Sequence, residues 1–316
     1  MIHKNAMNMK IENAICYSGY RAGQNPGNKV YPSFEQVKED LLILARNWKI
    51  IRLYESDFHA ETVLKVLRSE KIDLKVMVGV CLAAEINNEG CPWGVNHTEK
   101  ALCENKSYNV NQINKLIKLA NKYQDFIFSV SAGNEATVEW TDHLVPVETV
   151  IDYVRMIKTS VKQPVTFCEN YAPWQNKLQS LAEEVDIISL HTYPLWEYKN
   201  IDEALGYTQA NYYSVRDKYP HKPVIITEAG WATNSNGRGI PVQNANEDSQ
   251  KTYYERLTQW SKENGILTFV FEAFDEEWKG SHEPLEPEKH WGLFTIDRKP
   301  KKVMHEVYAD LCLGSR

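Results

Sequence analysis

The sequence predicts a single (β/α)8 TIM barrel, on three observations. Eight short apolar runs alternate along the chain with eight amphipathic stretches at helical spacing. The 316 residues divide into about 40 per strand–helix unit, the size of a βα pair with its loops. Neither GxGxxG nor a GxxxxGK phosphate loop occurs, which removes the usual mark of the rival doubly wound open sheet.

The elements follow in order. The run 14–18 is apolar through Ala14, Ile15 and Cys16 and suits a strand buried on both faces. Helix 33–46 opens on Ser33 and Gln36, a capping-box pair, and sets Phe34, Val37, Leu41 and Leu44 on one face. Strand 50–54 is followed by helix 59–68, and strand 74–80 by helix 111–122. Strand 126–131 precedes helix 147–162, and strand 165–168 precedes helix 175–183. Strand 185–190 leads to helix 202–218, strand 224–227 to helix 247–262, and strand 266–271 to a closing helix at 302–311. Every strand in this series is a compact apolar run, and every helix repeats its apolar residues three and four apart. No linker or change of composition interrupts it, so one domain spans 1–316, with 1–10 expected to lie disordered outside the barrel. Two connections are long, 81–108 and 272–301. Long structured loops after barrel strands build the catalytic face.

Composition narrows the partners. The chain is 43% hydrophobic and 25% charged, with a net charge of −6 and no basic block, so a nucleic-acid partner is not expected. No run of about eighteen apolar residues is present, which argues against a membrane span. Nine Trp and 17 Tyr suit either core packing or a surface for a flat neutral ligand such as a sugar. The six cysteines have no metal-finger spacing; Cys91 and Cys103 flank one loop and would pair in an oxidising compartment. Residues 1–10 lack the apolar segment of an export signal, which fits a protein that stays inside the cell or one whose leader has been removed.

Two strand ends carry the chemistry. The fourth strand runs out into Gly133-Asn134-Glu135 and the seventh into Thr227-Glu228-Ala229-Gly230-Trp231. Three βα units separate the two acids, which sets them across the barrel mouth from each other. Facing carboxyls are what glycosidic cleavage requires, one donating a proton to the leaving oxygen and the other attacking carbon or activating water. For either acid alone, an ion pair or a helix cap is the plainer role.

These stretches, with Phe271-Glu272-Ala273-Phe274-Asp275-Glu276, Trp278-Lys279-Gly280, His290-Trp291-Gly292-Leu293-Phe294, Cys16-Tyr17-Ser18-Gly19 and Arg52-Leu53-Tyr54, resemble glycoside hydrolase family 17, the β-1,3-glucanase family. The likeness covers essentially the whole chain. It is closer to bacterial members, since plant ones usually have proline where Ala232 stands. The resemblance implies Glu135 as acid/base, Glu228 as nucleophile, and Asn134 on the sugar 2-hydroxyl. It also implies Tyr193 beside the nucleophile, and Glu272 as a third carboxylate bonding the acid/base or sugar hydroxyls, with Lys279 nearby. Tyr17 and Tyr54 become candidate sugar contacts. Trp231, Trp278 and Trp291, and less directly Trp93 and Trp140, either stack on glucose rings or pack beneath the loops.

The activity so implied is retaining, endo-acting hydrolysis of laminarin-like β-1,3-glucan by a monomer. Exo-cleavage and glucanosyl transfer are alternatives on the same residues; a non-catalytic glucan-binding barrel and a metal-assisted enzyme stand outside them. His97, His191, His282 and His290 show no ligand spacing, so neither metal nor other cofactor is expected. The cluster Asp275, Glu276, Glu277 is expected to be a partly solvated loop that Asp275 fastens. The Asn96-His97-Thr98 sequon is taken as incidental.

Overall fold

The computed structural model describes residues 12–312; the first ten residues lie outside it. Eight parallel strands close into a barrel in sequence order, each bonded to the next and the last to the first. They are β1 (Ala14–Cys16), β2 (Ile50–Leu53), β3 (Lys75–Val78), β4 (Ile127–Asn134), β5 (Val165–Asn170), β6 (Ile188–His191), β7 (Val224–Gly230) and β8 (Thr268–Phe271). Each overlaps an apolar run, because strands covered by side chains inside the barrel and helices outside have no face for water. β4 and β7 extend past their apolar runs to carry Asn134 and Gly230.

The helices are α1 (Phe34–Leu44), α2 (Phe58–Glu70), α3 (Glu99–Lys122), α4 (Val147–Lys158), α5 (Tyr171–Asn176), α6 (Gln179–Glu184), α7 (Ile201–Lys218), α8 (Glu247–Asn264) and α9 (Ala309–Cys312). Ser33 and Gln36 form the expected capping box on α1. Three expectations change. α3 starts at Glu99, capped by Thr98, not at 111. Its early turns are polar and bury only Asn109 before Ile113, so they show no apolar period. The helix expected at 175–183 is two, because Asn170 caps one at the very end of β5 and the chain breaks at Lys177–Leu178. The closing helix 302–311 is a 3-10 turn, Lys302–Met304, followed by the single turn of α9.

All six cysteines are free thiols. Cys91 is buried and donates to the Trp140 carbonyl at 3.0 Å, whereas Cys103 is exposed on α3, so the two do not pair. Among the described residues, no helix is long and apolar enough to cross a membrane.

Of the four register irregularities in the barrel, one lies between Val76 and Met77 in the β3–β4 pair and three fall where the site forms. Between Ser131 and Asn134 the pairing of β4 with β5 slips by one residue; β7 slips against β6 between Leu190 and His191, and against β8 between Ile226 and Ala229. An extra residue in one strand re-aims the side chains beyond it. Here the side chains so redirected are Glu135 and Glu228.

Candidate active site

The β4 bulge is fixed from within. Ser131 Oγ donates to the Gly133 carbonyl at 2.6 Å and accepts from the Cys168 amide at 3.2 Å. A side chain at 133 would drive its Cβ to 2.6 Å from the Phe167 ring, so only glycine fits. Beyond it, Glu135 takes a left-handed backbone, φ 43°, with its amide donating to the Cys168 carbonyl at 2.9 Å. At the other strand end a Cβ on Gly230 would run into the Phe271 carbonyl.

Glu228 is enclosed by donors. Arg52 Nη1 donates to Oε1 at 2.5 Å and the Tyr193 hydroxyl to Oε2 at 2.5 Å, with His191 Nδ1 3.5 Å from Oε2. Burial favours the neutral acid, but the cations His191 and Arg52 and the Tyr193 bond outweigh it and hold the carboxyl below its ordinary value. Glu135 faces it more openly: its side chain is 28% exposed against 6% for Glu228. His191 Nδ1 bridges the pair, 2.8 Å from Glu135 Oε1. One oxygen of each carboxylate and a ring nitrogen of His191 all lie within 4.8 Å of one another. Burial disfavours a charged imidazole, yet Glu228 and then Cys168 and Glu135 push His191 up to about 10.

Arg52 also orients Asn134, donating from Nη2 to Oδ1 at 2.5 Å, which leaves the amide NH2 to face a ligand. Its guanidinium lies 4.4 Å over the centre of the Tyr54 ring, and Tyr54 is half-buried at the groove floor. Tyr17 lines the floor as well, but its hydroxyl is turned away to Asp40 at 3.0 Å.

The loop after β8 differs in part from expectation. Glu276 is fully buried, accepting from Ser18 and from Trp278 Nε1 at 2.8 Å and ion-paired with Lys279 at 2.5 Å, whereas Asp275 is half-buried and Glu277 exposed, so 275–277 is partly solvated with Glu276 as its enclosed member. Lys279 also reaches both oxygens of Glu272 at 3.0 and 3.1 Å. Burial and the neighbouring Glu276 charge push Glu272 well above the usual carboxylate range. Glu276 is also buried, but the Lys279 charge outweighs that and holds it low. Glu272 therefore bonds Lys279 rather than Glu135, and the acids that border the groove beside Glu135 and Glu228 are Glu55, Asp57, Glu197, Glu276 and Glu288. Asp275 fastens the loop as expected, accepting from Lys301 at 2.7 Å and the Gly292 amide at 3.0 Å.

A groove of roughly 660 Å³ runs over these residues, a volume usual for ligand sites. Trp278, 39% exposed, comes from the loop after β8, and Trp93 and Trp140, 63% and 40% exposed, come from the loops after β3 and β4. Trp291 borders the groove but is buried, packed against Tyr193 and Phe271 at 5.2 and 5.8 Å. Trp231 is not a platform: its indole donates to the Asn244 carbonyl at 2.9 Å and packs on Tyr253 behind the barrel wall. Arg52, His191 and Glu276 went unassigned in the sequence, as did Glu288, which burial, then the Glu135 and Glu228 charges, push up to about 7 against the pull of Lys279. A polar residue inside an apolar strand was the available signal for Arg52 and His191.

Two acids bridged by a histidine at the mouth of a closed barrel, in an aromatic-lined groove, define a glycoside hydrolase. A profile of the BtgE/BtgC glycoside hydrolase domain matches residues 14–292, and the chain belongs to that family. An endo-laminarinase from Formosa Hel1_33_131 superposes with a TM-score of 0.80 at 28% identity, covering 96% of this chain and 88% of that one. An active-site mutant of Rhizomucor miehei β-1,3-glucanosyltransferase, in complex with laminaritriose, shares the fold: TM-score 0.73, 20% identity, 92% and 96% covered. A probable glucan endo-1,3-beta-glucosidase btgC of Aspergillus terreus is 25% identical over 297 residues, which is 86% of this chain and 42% of that protein. The chain thus spans about two fifths of the curated relatives it matches.

Proposed function

We propose that this chain is a retaining β-1,3-glucan hydrolase of the glycoside hydrolase family 17 kind, cutting within laminarin-like chains. The observation that carries the reading is the inequality of two neighbouring acids. Glu228, held ionised by Arg52, His191 and Tyr193, is suited to attack the anomeric carbon. Glu135, more open and held through one oxygen by His191, keeps its other oxygen to carry a proton to the leaving group. Their nearness accords with the roughly 5–5.5 Å separation of retaining enzymes, which leaves no room for a water between Glu228 and the anomeric carbon.

The first step forms a glycosyl ester on Glu228 as the C–O bond to the leaving sugar breaks and Glu135 gives up its proton. In the second, Glu135 takes a proton from water, whose oxygen displaces Glu228. The Asn134 amide, aimed by Arg52, donates to the 2-hydroxyl, a contact that strengthens as the ring flattens. Trp278 from the loop after β8, with Trp93 and Trp140 from the loops after β3 and β4, supplies aromatic contacts from separate parts of the groove wall, which suits a chain bound along it. The names borne by the Formosa and Aspergillus relatives point to the same linkage. The catalytic constellation comes from strands of one chain, which suits a monomer.

Proton NMR of the first product on laminari-oligosaccharides tests the stereochemistry: the β-anomer is expected to appear first, and the α-anomer would contradict the reading. Products from reduced oligosaccharides test the mode. Mixed sizes are expected, against one short product for exo-cleavage or lengthened chains for transfer. Activity is expected to survive a chelator.

A further inference from the structure

Behind Glu135 lies an acid that this reaction does not use. Glu169, on β5, is completely buried and forms no salt bridge to any described residue. Its Oε2 accepts from the Thr137 amide at 2.9 Å and the Thr137 hydroxyl at 2.7 Å, and its Oε1 accepts from the Asn170 amide at 2.7 Å. A buried carboxyl without a cation is a costly choice for a strand interior. Burial, with the Glu135 charge adding to it, pushes Glu169 up to about 7.

The position of these bonds suggests their purpose. Thr137 follows Glu135 by two residues, and Glu135 itself sits at φ 43°, a conformation that L-residues other than Asn and Asp seldom adopt. Such a backbone persists only where its surroundings over-determine it. Two attachments to β5 do so here: the Glu135 amide on the Cys168 carbonyl, and the grip of Glu169 on both donors of Thr137. The same carboxyl holds the amide of Asn170, which borders the groove and caps α5.

We propose that Glu169 is a positioning residue for the proton donor: by clamping Thr137 to β5 it holds the β4 exit turn in the one conformation that aims Glu135 at the leaving oxygen. This rests on the reading of Glu135 as acid/base.

The test compares kcat/KM on a laminari-oligosaccharide, whose leaving group needs the proton, with kcat/KM on a dinitrophenyl β-laminaribioside, whose leaving group does not. A displaced donor is expected to cost Glu169→Ala about ten- to a hundredfold on the first substrate and little on the second. Glu169→Gln, which keeps one acceptor oxygen, is expected to show a smaller split of the same sign. Equal losses on both substrates, whatever the change in Tm, would overturn the proposal. Should Glu169→Ala fail to fold, Thr137→Val removes only the hydroxyl arm of the clamp: a split of a few-fold supports the proposal, and none overturns it. Glu135→Ala run in parallel separates the two layers. A split there without one at Glu169 removes only the clamp, whereas no split at Glu135 removes the acid/base assignment and the clamp with it.

Discussion

The exits of β4 and β7 begin alike and end differently. Both strands carry a register slip, both pass a glycine that cannot bear a side chain, and both present a glutamate at the barrel mouth. Glu228 is then surrounded by Arg52 from β2, His191 from β6 and the hydroxyl of Tyr193 just beyond β6. Glu135 receives one bond, from the same His191, and keeps a quarter of its surface open. What separates two chemically identical side chains is thus the neighbours that other strands bring. A charge sheltered in a donor cage serves attack on carbon, and a more open carboxyl serves proton traffic.

The contrast can be broken outright at Glu228. Glu228→Gln is expected to lower kcat by several orders of magnitude while leaving oligosaccharide affinity largely intact, because no other group can form the ester; calorimetric titration beside a turnover assay checks both halves. Next in size, Glu135→Ala is expected to cost about 10²- to 10⁴-fold in kcat/KM on laminari-oligosaccharides and far less on activated aryl glycosides. Comparable losses on both substrates would remove the asymmetry between the two acids.

The cage itself can be thinned. Tyr193→Phe deletes one donor to a charged carboxylate, a bond of about 1.5–3 kcal/mol, so roughly a ten- to hundredfold loss in kcat is expected. The sign of its pH effect follows from the same bond. Hydrogen bonds and cations now hold Glu228 below its ordinary value against burial, so losing one lets burial raise it. The acid limb of the kcat/KM profile should move to higher pH, and a limb that stays in place would separate it from Glu228.

Much of this arrangement was legible in the sequence. The eight strands follow from apolar runs alone, and the two catalytic candidates from acids standing where the fourth and seventh runs stop. The rest depends on contacts between distant segments. Glu276 looks like part of an acidic surface loop until Ser18, from the other end of the chain, and Lys279 are seen to enclose it. The family resemblance implies Glu272 as a site carboxylate, whereas the fold turns it to Lys279 and leaves Glu276 and Glu288 among the acids bordering the groove. Trp231 and Trp278 both stand near chemistry in the sequence, but the Asn244 carbonyl draws one behind the wall and leaves the other at the lip. That yields the smallest test. Trp278→Ala is expected to raise KM a few-fold with kcat nearly unchanged, about the 1 kcal/mol scale of an aromatic contact, while Trp231→Phe should leave KM untouched. Equal effects on KM would return Trp231 to the groove.

The most direct measurement of the central claim is covalent capture. The enzyme is incubated with a 2-deoxy-2-fluoro-β-laminaribiosyl fluoride, digested, and its peptides are mapped by mass spectrometry. One sugar adduct is expected, on the peptide and side chain of Glu228, released on incubation with an acceptor sugar. An adduct on Glu135, or an active enzyme that never labels at Glu228, would contradict the claim.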